Sequence, residues 1–234
     1  MNHNLITYSS HLKLADMIST DYELLTILER LDIRLGFGDD DIETICKKHN
    51  ISVDLFLMIC NIYSFENYIP NMDFLTINDI PHIVSYLRSS HNYYSNQIFP
   101  KLHGYIHNML EDCDKTNSEV INRFYDNYDS EVNNHFNYEE TTVFPYIESL
   151  INKNEYRDQN YSIEHFEKNN SNIEETLDDL KNIIIKYLPE EISNLYRYKV
   201  LKNIFIIERD LKKHSLVENK ILIPLVSKFE KDGK

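Results

Sequence analysis

Apolar residues recur at steps of three and four along four long segments that begin near residue 76. The segments cover about 76–110, 117–152, 158–188 and 193–230. This spacing places the apolar side chains on one face of a helix, and each segment is longer than the usual globular helix. The pattern predicts an all-α protein in which residues 76–234 form a four-helix bundle.

Histidine and glutamate interrupt these apolar stripes at positions where hydrophobic residues are expected. The second and fourth segments each carry a His-x-x-x-Glu step, and four residues is about one helical turn, so both members share one face. The first and third segments each add one histidine. The predicted inward-facing polar residues are His91, His135, Glu139, His165, His214 and Glu218.

A single inward histidine is more often a hydrogen-bonded core residue than a metal ligand, but the set as a whole favours a metal site. Burying two glutamates with four histidines costs several kcal/mol per ionised carboxylate unless a counter-charge is present. The other histidines do not share these faces or lie before the bundle, and we predict that none is a ligand. They are His3, His11, His49, His82, His103 and His107.

The donor types indicate which metals suit such a site. Mixed imidazole and carboxylate ligands without thiolate fit iron, manganese or zinc. Two glutamates among four histidines fit a pair of ions bridged by carboxylate, with Glu139 and Glu218 as the bridges. Six ligands leave open positions on two six-coordinate ions, so the site suits chemistry or sensing. The three widely spaced cysteines, Cys46, Cys60 and Cys113, are predicted to be reduced core thiols.

Shorter helical segments precede the bundle and predict a small helical N-terminal domain over residues 1–70. Gly36 and Gly38 mark a turn, an acidic run over 39–41 begins a helix, and Ser52 caps the next one. The region holds eleven acidic residues against five Lys or Arg and offers no basic recognition helix. A role in docking, either to a protein partner or to another domain, is therefore favoured over DNA binding.

The charge of the whole chain narrows the range of partners further. With 24 basic and 38 acidic residues, the formal net charge is −14. Such a charge repels nucleic acid and anionic lipid, so neither is predicted to be a partner. No basic-then-apolar leader begins the sequence, and no apolar run approaches the roughly 20 residues that span a bilayer. We expect a cytoplasmic protein.

Each predicted ligand lies in a short motif, and three of these motifs lead into a proline. The motifs are SHNYY (90–94) with FPKL (99–102), HFNYEE (135–140) with VFP (143–145), IEH (163–165), and HSLVEN (214–219) with LIP (222–224). Together they resemble the hemerythrin-like di-iron proteins of the repair-of-iron-centres family, which are implicated in restoring damaged iron-sulfur clusters. The resemblance covers almost the whole chain.

The resemblance implies two non-heme iron ions joined by an oxo or hydroxo group. One iron would be bound by His91 and His214 and the other by His135 and His165. Glu139 and Glu218 would bridge the two ions. Nitric oxide, dioxygen or peroxide would bind at the open positions.

Two comparisons refine the resemblance. Oxygen-carrying hemerythrin has a further histidine and an aspartate as ligands, and the corresponding positions here are Asn169 and Asn219, so the repair branch fits better. The N-terminal domain of that branch carries adjacent cysteines, whereas this chain has Gly36 and Phe37 at those positions. A role for thiols in this domain is therefore not expected.

Three functions remain open at this stage. The leading one is a di-iron protein that acts in iron-sulfur cluster repair or handles nitric oxide and oxidants under stress. The alternative is a module that binds or senses dioxygen or nitric oxide without turnover and signals to a protein partner through its N-terminal domain. The third is a bundle that holds two zinc ions and has no redox role. The sequence does not decide whether the protein is an enzyme.

Overall fold

The structure is a computed structural model that describes residues 7–111, 113–152, 161–169 and 177–232, apart from the side chains of residues 169 and 232. Its helices, in chain order, are α1 (Leu14–Thr20), α2 (Leu24–Arg30), α3 (Ile42–His49), α4 (Val53–Ser64), α5 (Ile80–Tyr93), α6 (Phe99–Leu110), α7 (Lys115–Tyr138), α8 (Phe144–Ile151), α9 (Ile163–Asn169), α10 (Leu177–Lys186), α11 (Asn194–Val217) and α12 (Ile223–Asp232). The described residues contain no β-strand. The predicted all-α class is confirmed.

Three of the junctions between these helices are π-helical turns rather than loops. They cover Tyr94–Ile98 between α5 and α6, Glu139–Val143 between α7 and α8, and Glu218–Leu222 between α11 and α12. In each, the N–H that follows the turn bonds to the carbonyl of the turn's first residue, five positions earlier. The chain therefore continues as one interrupted helix through each junction.

A proline follows every one of these π turns, at Pro100, Pro145 and Pro224. Proline has no N–H to donate, and its ring clashes with the preceding turn of a regular α-helix. A wider turn relieves that clash, which gives a physical reason for the same local structure at three places. Such turns are rare and often occur at functional sites.

The chain divides into two compact units. One consists of Ser90–Pro145 and Asn169–Ser215, and the other of Met1–Ser89, Tyr146–Lys168 and Leu216–Lys234. In the first unit, α6, α7, α10 and α11 contribute side chains to a common hydrophobic core. The apolar stripes predicted for these helices are buried there, including Tyr128, Val132, Leu180, Ile204 and Leu211. The predicted helical bundle is confirmed by this packing.

In the second unit, α1 to α4 form an apolar core from residues such as Leu14, Ile27, Ile42 and Phe56, all without solvent exposure. The Arg30 guanidinium is buried with them and donates to the Tyr63 hydroxyl at 2.6 Å. These helices confirm the short helical segments predicted before the bundle. The domain boundary predicted near residue 70 stays a prediction.

Local signals in the sequence account for several helix starts. Asp41 caps α3 by accepting from the Thr44 N–H at 2.8 Å, and Ser52 caps α4 by accepting from the Leu55 N–H. The predicted turn before Asp41 is also present, with Gly36 at φ 99° and Gly38 at φ 62°. Both values are easily adopted by glycine and rarely by other residues.

The third predicted segment, over 158–188, is described in part. Its apolar positions Leu177, Leu180 and Ile184 are buried on α10, whereas Ile173 lies outside the described residues. Among the helices of the described ranges, none is long and apolar enough to cross a membrane.

Candidate metal centre

Four of the predicted ligands form one buried group. His91, Glu139, His214 and Glu218 each offer a ligand atom, and these atoms all lie within 4.8 Å of one another. Both glutamates are fully buried, and the two histidines are at most 5% exposed. Each glutamate is the first residue of a π turn. Glu139 stands four residues after His135 of α7, and Glu218 stands four residues after His214 of α11. The four-residue spacing places each glutamate on the same helix face as the histidine that precedes it.

His91 lies between two carboxylates. Its Nε2 is 2.8 Å from Glu139 Oε2, and its Nδ1 is 2.8 Å from Glu140 Oε1. The two carboxylates belong to consecutive residues, and Glu139 is buried while about a third of the Glu140 side chain is exposed. Both nitrogens of the ring are thus engaged by acidic groups.

The sequence alone did not reveal the contact between Glu140 and His91. In the sequence, Glu140 is the second acid of the HFNYEE motif, and only its neighbour Glu139 has the four-residue spacing from His135. The contact joins residues 49 positions apart, and no local pattern encodes it. An adjacent pair of acids at a predicted ligand was the available signal.

His135 approaches the other oxygen of the same carboxylate. Its Nε2 is 2.9 Å from Glu139 Oε1, and its side chain is 9% exposed. Glu139 consequently faces His91 with one oxygen and His135 with the other. This is the arrangement that a carboxylate between two cation positions requires.

Aromatic rings surround the histidines of this group. Phe136 stacks on the His91 ring at 4.2 Å between centroids, and Phe144 lies parallel to it at 5.7 Å. Tyr94, which is fully buried, stacks against Phe136 and meets His214 edge-on. These rings exclude water from the imidazoles, so charge interactions among the buried ligands are stronger than they would be in solvent.

His165 lies in a different environment from the other predicted ligands. It is exposed near the start of α9, where its Nδ1 is 3.1 Å from the Ser162 hydroxyl and accepts from the Ser162 N–H at 3.3 Å. Its ring stacks on Tyr161 at 5.6 Å. The structure does not place it in the buried group with His91 and Glu139, and its role as a ligand stays a prediction.

Glu230 holds the start of α9. Its Oε1 accepts from the Ile163 N–H at 3.0 Å and from the Tyr146 hydroxyl at 2.5 Å. Tyr146 thus donates to an acid on α12. Asn169, considered as a counterpart of a hemerythrin ligand, has its side chain outside the described residues.

The histidines predicted not to be ligands are not part of the buried group. His103 and His107 are exposed on α6, and within the described ranges no further group of metal-binding side chains is present. His3 lies outside those ranges.

Two of the three predicted core thiols, Cys46 and Cys60, are buried, whereas Cys113 is only partly buried. Burial raises the pKa of the Cys46 thiol to about 12 and that of Cys60 well above its usual value. Neither thiol supplies a thiolate at neutral pH.

The donor set fits a bound cation. Two imidazoles and two carboxylates, all buried and close together, provide nitrogen and oxygen ligands of the kind that iron, manganese and zinc accept in proteins. The two buried carboxylates would carry uncompensated charge without a proton or a cation nearby. The chemistry of this group is therefore that of a metal site.

Comparison with known families agrees with this geometry. Residues 82–226, more than half of the chain, match the family model of the hemerythrin HHE cation-binding domain. This range contains all six predicted ligands. Neither the curated proteins nor the solved structures gave a match.

Proposed function

The chain belongs to the hemerythrin HHE cation-binding domain family, and from this premise we propose that it is a non-heme di-iron protein that handles small diatomic or oxidising molecules. The observation that carries the proposal is the position of Glu139. One of its oxygens faces His91 and the other faces His135, at 2.8 and 2.9 Å. Each oxygen of this buried carboxylate is close to a different imidazole. A cation at each of these two places would have one imidazole and one carboxylate oxygen as ligands, which supports two cation positions rather than one.

We assign His91, His214, Glu139 and Glu218 to the first cation, because their ligand atoms lie within 4.8 Å of one another. The second cation would be held by His135 and His165 together with the same two glutamates. The part of His165 in this assignment comes from the resemblance to the repair-of-iron-centres proteins. Iron bound there would supply open coordination positions for nitric oxide, dioxygen or peroxide.

The protein's own residues would prepare this site in three ways. Glu139 and Glu218 contribute two negative charges that offset the charge of the cations. Phe136 and Phe144 cover the His91 ring and exclude water from it. The regular α-helical turn between each histidine and the glutamate four residues later places both side chains on one helix face, and a π turn begins at each glutamate.

The biological role we favour is repair of iron-sulfur clusters or defence against nitric oxide and oxidants. The motifs that resemble the repair-of-iron-centres proteins support this choice. In this role the protein would release iron or turn over the gas. A cytoplasmic location would suit such a role.

A second role, sensing without turnover, is favoured by the N-terminal helices. Where the repair family has adjacent cysteines, this chain has Gly36 at φ 99°, a conformation that cysteine rarely adopts. Gly36 therefore serves the backbone conformation of this turn, and the turn offers no thiol at this position. The N-terminal helices would then serve to dock a protein partner.

The deciding experiment is the metal content of anaerobically purified protein, combined with visible absorption before and after addition of air and nitric oxide. We expect about two irons per chain and absorption bands that respond to at least one gas. Turnover of nitric oxide by the reduced protein would support the repair role, whereas reversible binding would support sensing. Zinc that iron cannot replace would overturn both roles and leave the zinc bundle.

A further inference from the structure

Glu140 lies beside the buried group and contacts the ring nitrogen of His91 that faces away from it. His91 faces Glu139 with Nε2 and Glu140 with Nδ1, each at 2.8 Å. Glu139 belongs to the buried group of ligand atoms, and Glu140 does not. The nitrogen that binds a cation alongside Glu139 is therefore Nε2, and Nδ1 is left for the contact with Glu140.

A neutral imidazole that binds a cation through one nitrogen carries its proton on the other. An ionised carboxylate only accepts hydrogen bonds, so the contact with Glu140 requires the proton on Nδ1. We infer that Glu140 is a positioning residue that holds His91 with Nδ1 protonated and Nε2 directed to the cation. This inference rests on the proposed metal site.

The aromatic neighbours cannot perform this selection. Phe136 and Phe144 lie nearly parallel to the His91 ring, at interplanar angles of 20° and 14°. A rotation of the imidazole by 180° about its bond to Cβ leaves the ring in the same plane and preserves both stacking contacts. It exchanges Nδ1 with Cδ2 and Nε2 with Cε1, however, so it removes the hydrogen bond to Glu140 and turns Nε2 away from Glu139. Glu140 therefore distinguishes two ring orientations that stacking leaves equivalent.

The helix geometry lets one short stretch of chain reach both ends of the ring. Consecutive helical residues diverge by about 100°, and the two imidazole nitrogens point in different directions. Glu139 approaches one nitrogen from the buried side. Glu140 approaches the other from the side where its carboxylate remains partly exposed. This partial exposure lowers the desolvation cost of a second carboxylate beside the site.

The test compares Glu140→Ala and Glu140→Gln with the wild-type protein loaded with zinc, which is diamagnetic. Affinity is measured by competition with a chelator, and long-range proton–nitrogen NMR spectra report which nitrogen of His91 carries the proton. We expect Glu140→Ala to weaken zinc binding about ten- to a hundredfold, the usual effect of removing such a partner. We also expect it to lose the single Nδ1-protonated form.

Glu140→Gln keeps an oxygen that accepts a hydrogen bond and should restore the Nδ1-protonated form and most of the affinity. Glu148→Ala is the matched control, because this glutamate lies on α8 and pairs with Arg88 on the surface. Its affinity should equal that of the wild type. The NMR readout remains informative if the alanine variant is less stable, since the glutamine variant is expected to fold.

The outcomes separate this inference from the proposed function. Wild-type affinity together with unchanged His91 signals in Glu140→Ala overturns the positioning role and leaves the metal site intact. A lower melting temperature without a change in affinity shows a structural ion pair and also overturns it. A wild-type protein that binds neither zinc nor iron overturns the metal site itself and the positioning role with it.

Discussion

The surroundings of His91 and His165 show what turns a predicted ligand into part of a formed site. Both were identified by their place on an apolar helical stripe. His91 is 5% exposed, covered by Phe136 and flanked by two carboxylates. His165 is exposed on a helix of seven residues and contacts Ser162 and Tyr161.

The difference follows from the helices that carry the two residues. α5 continues through a π turn and a proline into α6, and buried side chains hold both. α9 is short, and its described contacts include the Glu230 carboxylate at its first N–H. Long helices with packed faces fix the direction of a ligand, whereas a short helix requires support from other elements.

The largest effect is expected among the buried residues around His91. Glu139→Ala removes the carboxylate that lies between His91 and His135, whereas the contact of His91 with Glu140 remains. We expect loss of most of the bound metal and a free energy of unfolding about 3–5 kcal/mol below that of the metal-loaded wild-type protein. Metal analysis and chemical denaturation measure the two quantities.

His103→Ala is the matched control for this variant. His103 is an exposed histidine on α6, and its removal should leave the metal content unchanged. Equal metal loss in both variants would mean that the assignment of inward and outward helix faces is wrong.

The same comparison shows how far the sequence alone determines the site. His91, Glu139, His214 and Glu218, which the helical spacing placed on inward faces, are buried, whereas their role as ligands stays a prediction. The π turns were not predicted. The signal in the sequence is a proline two residues after the end of each turn. A proline can also stand in the first turn of a regular α-helix, so this signal does not by itself predict a π turn.

Contacts between distant segments could not be predicted from the sequence. The hydrogen bond from the Arg30 guanidinium to Tyr63 and the contact of Glu140 with His91 depend on how separate helices pack. The position of His165 depends on tertiary support in the same way. Apolar periodicity describes one helix at a time. It therefore predicts which face of its helix a residue occupies, but not which residue of another helix it contacts.

An intermediate effect is expected at the exposed residue of the pair, His165. If His165 is a ligand of the second cation, His165→Ala should lose about one of two metal ions per chain and keep the ion held with His91. Its metal-free stability should change by no more than about 0.5 kcal/mol, because the side chain lies on the surface. Metal analysis at a fixed free iron concentration measures the first effect.

His135→Ala provides the reference for this measurement, since His135 faces Glu139 directly. Matching losses in the two variants would place both histidines at the same cation. Unchanged metal content in His165→Ala would remove His165 from the ligand set and require another residue at the second position.

The smallest effect is expected at the start of α7, far from the ligands of that helix. Asp114 caps α7 by accepting from the Asn117 N–H at 3.0 Å, and this hydrogen bond lowers the pKa of the Asp114 carboxyl below its ordinary value of 3.8. A carboxyl with a lower pKa in the folded state stabilises the protein at a pH above its unfolded-state pKa. That contribution is lost as the pH falls through the folded-state value.

Asp114→Ala should therefore be slightly less stable than the wild type at pH 7, and the difference should vanish in acid below the folded-state pKa of Asp114. Urea denaturation at both pH values measures it. The metal content should stay unchanged, because Glu139 lies roughly 37 Å further along the helix at 1.5 Å per residue. A difference that persists in acid would show that Asp114 acts through packing rather than through its charge. A loss of metal would show that the buried ligands depend on the far end of α7, as His165 depends on the support of its own short helix.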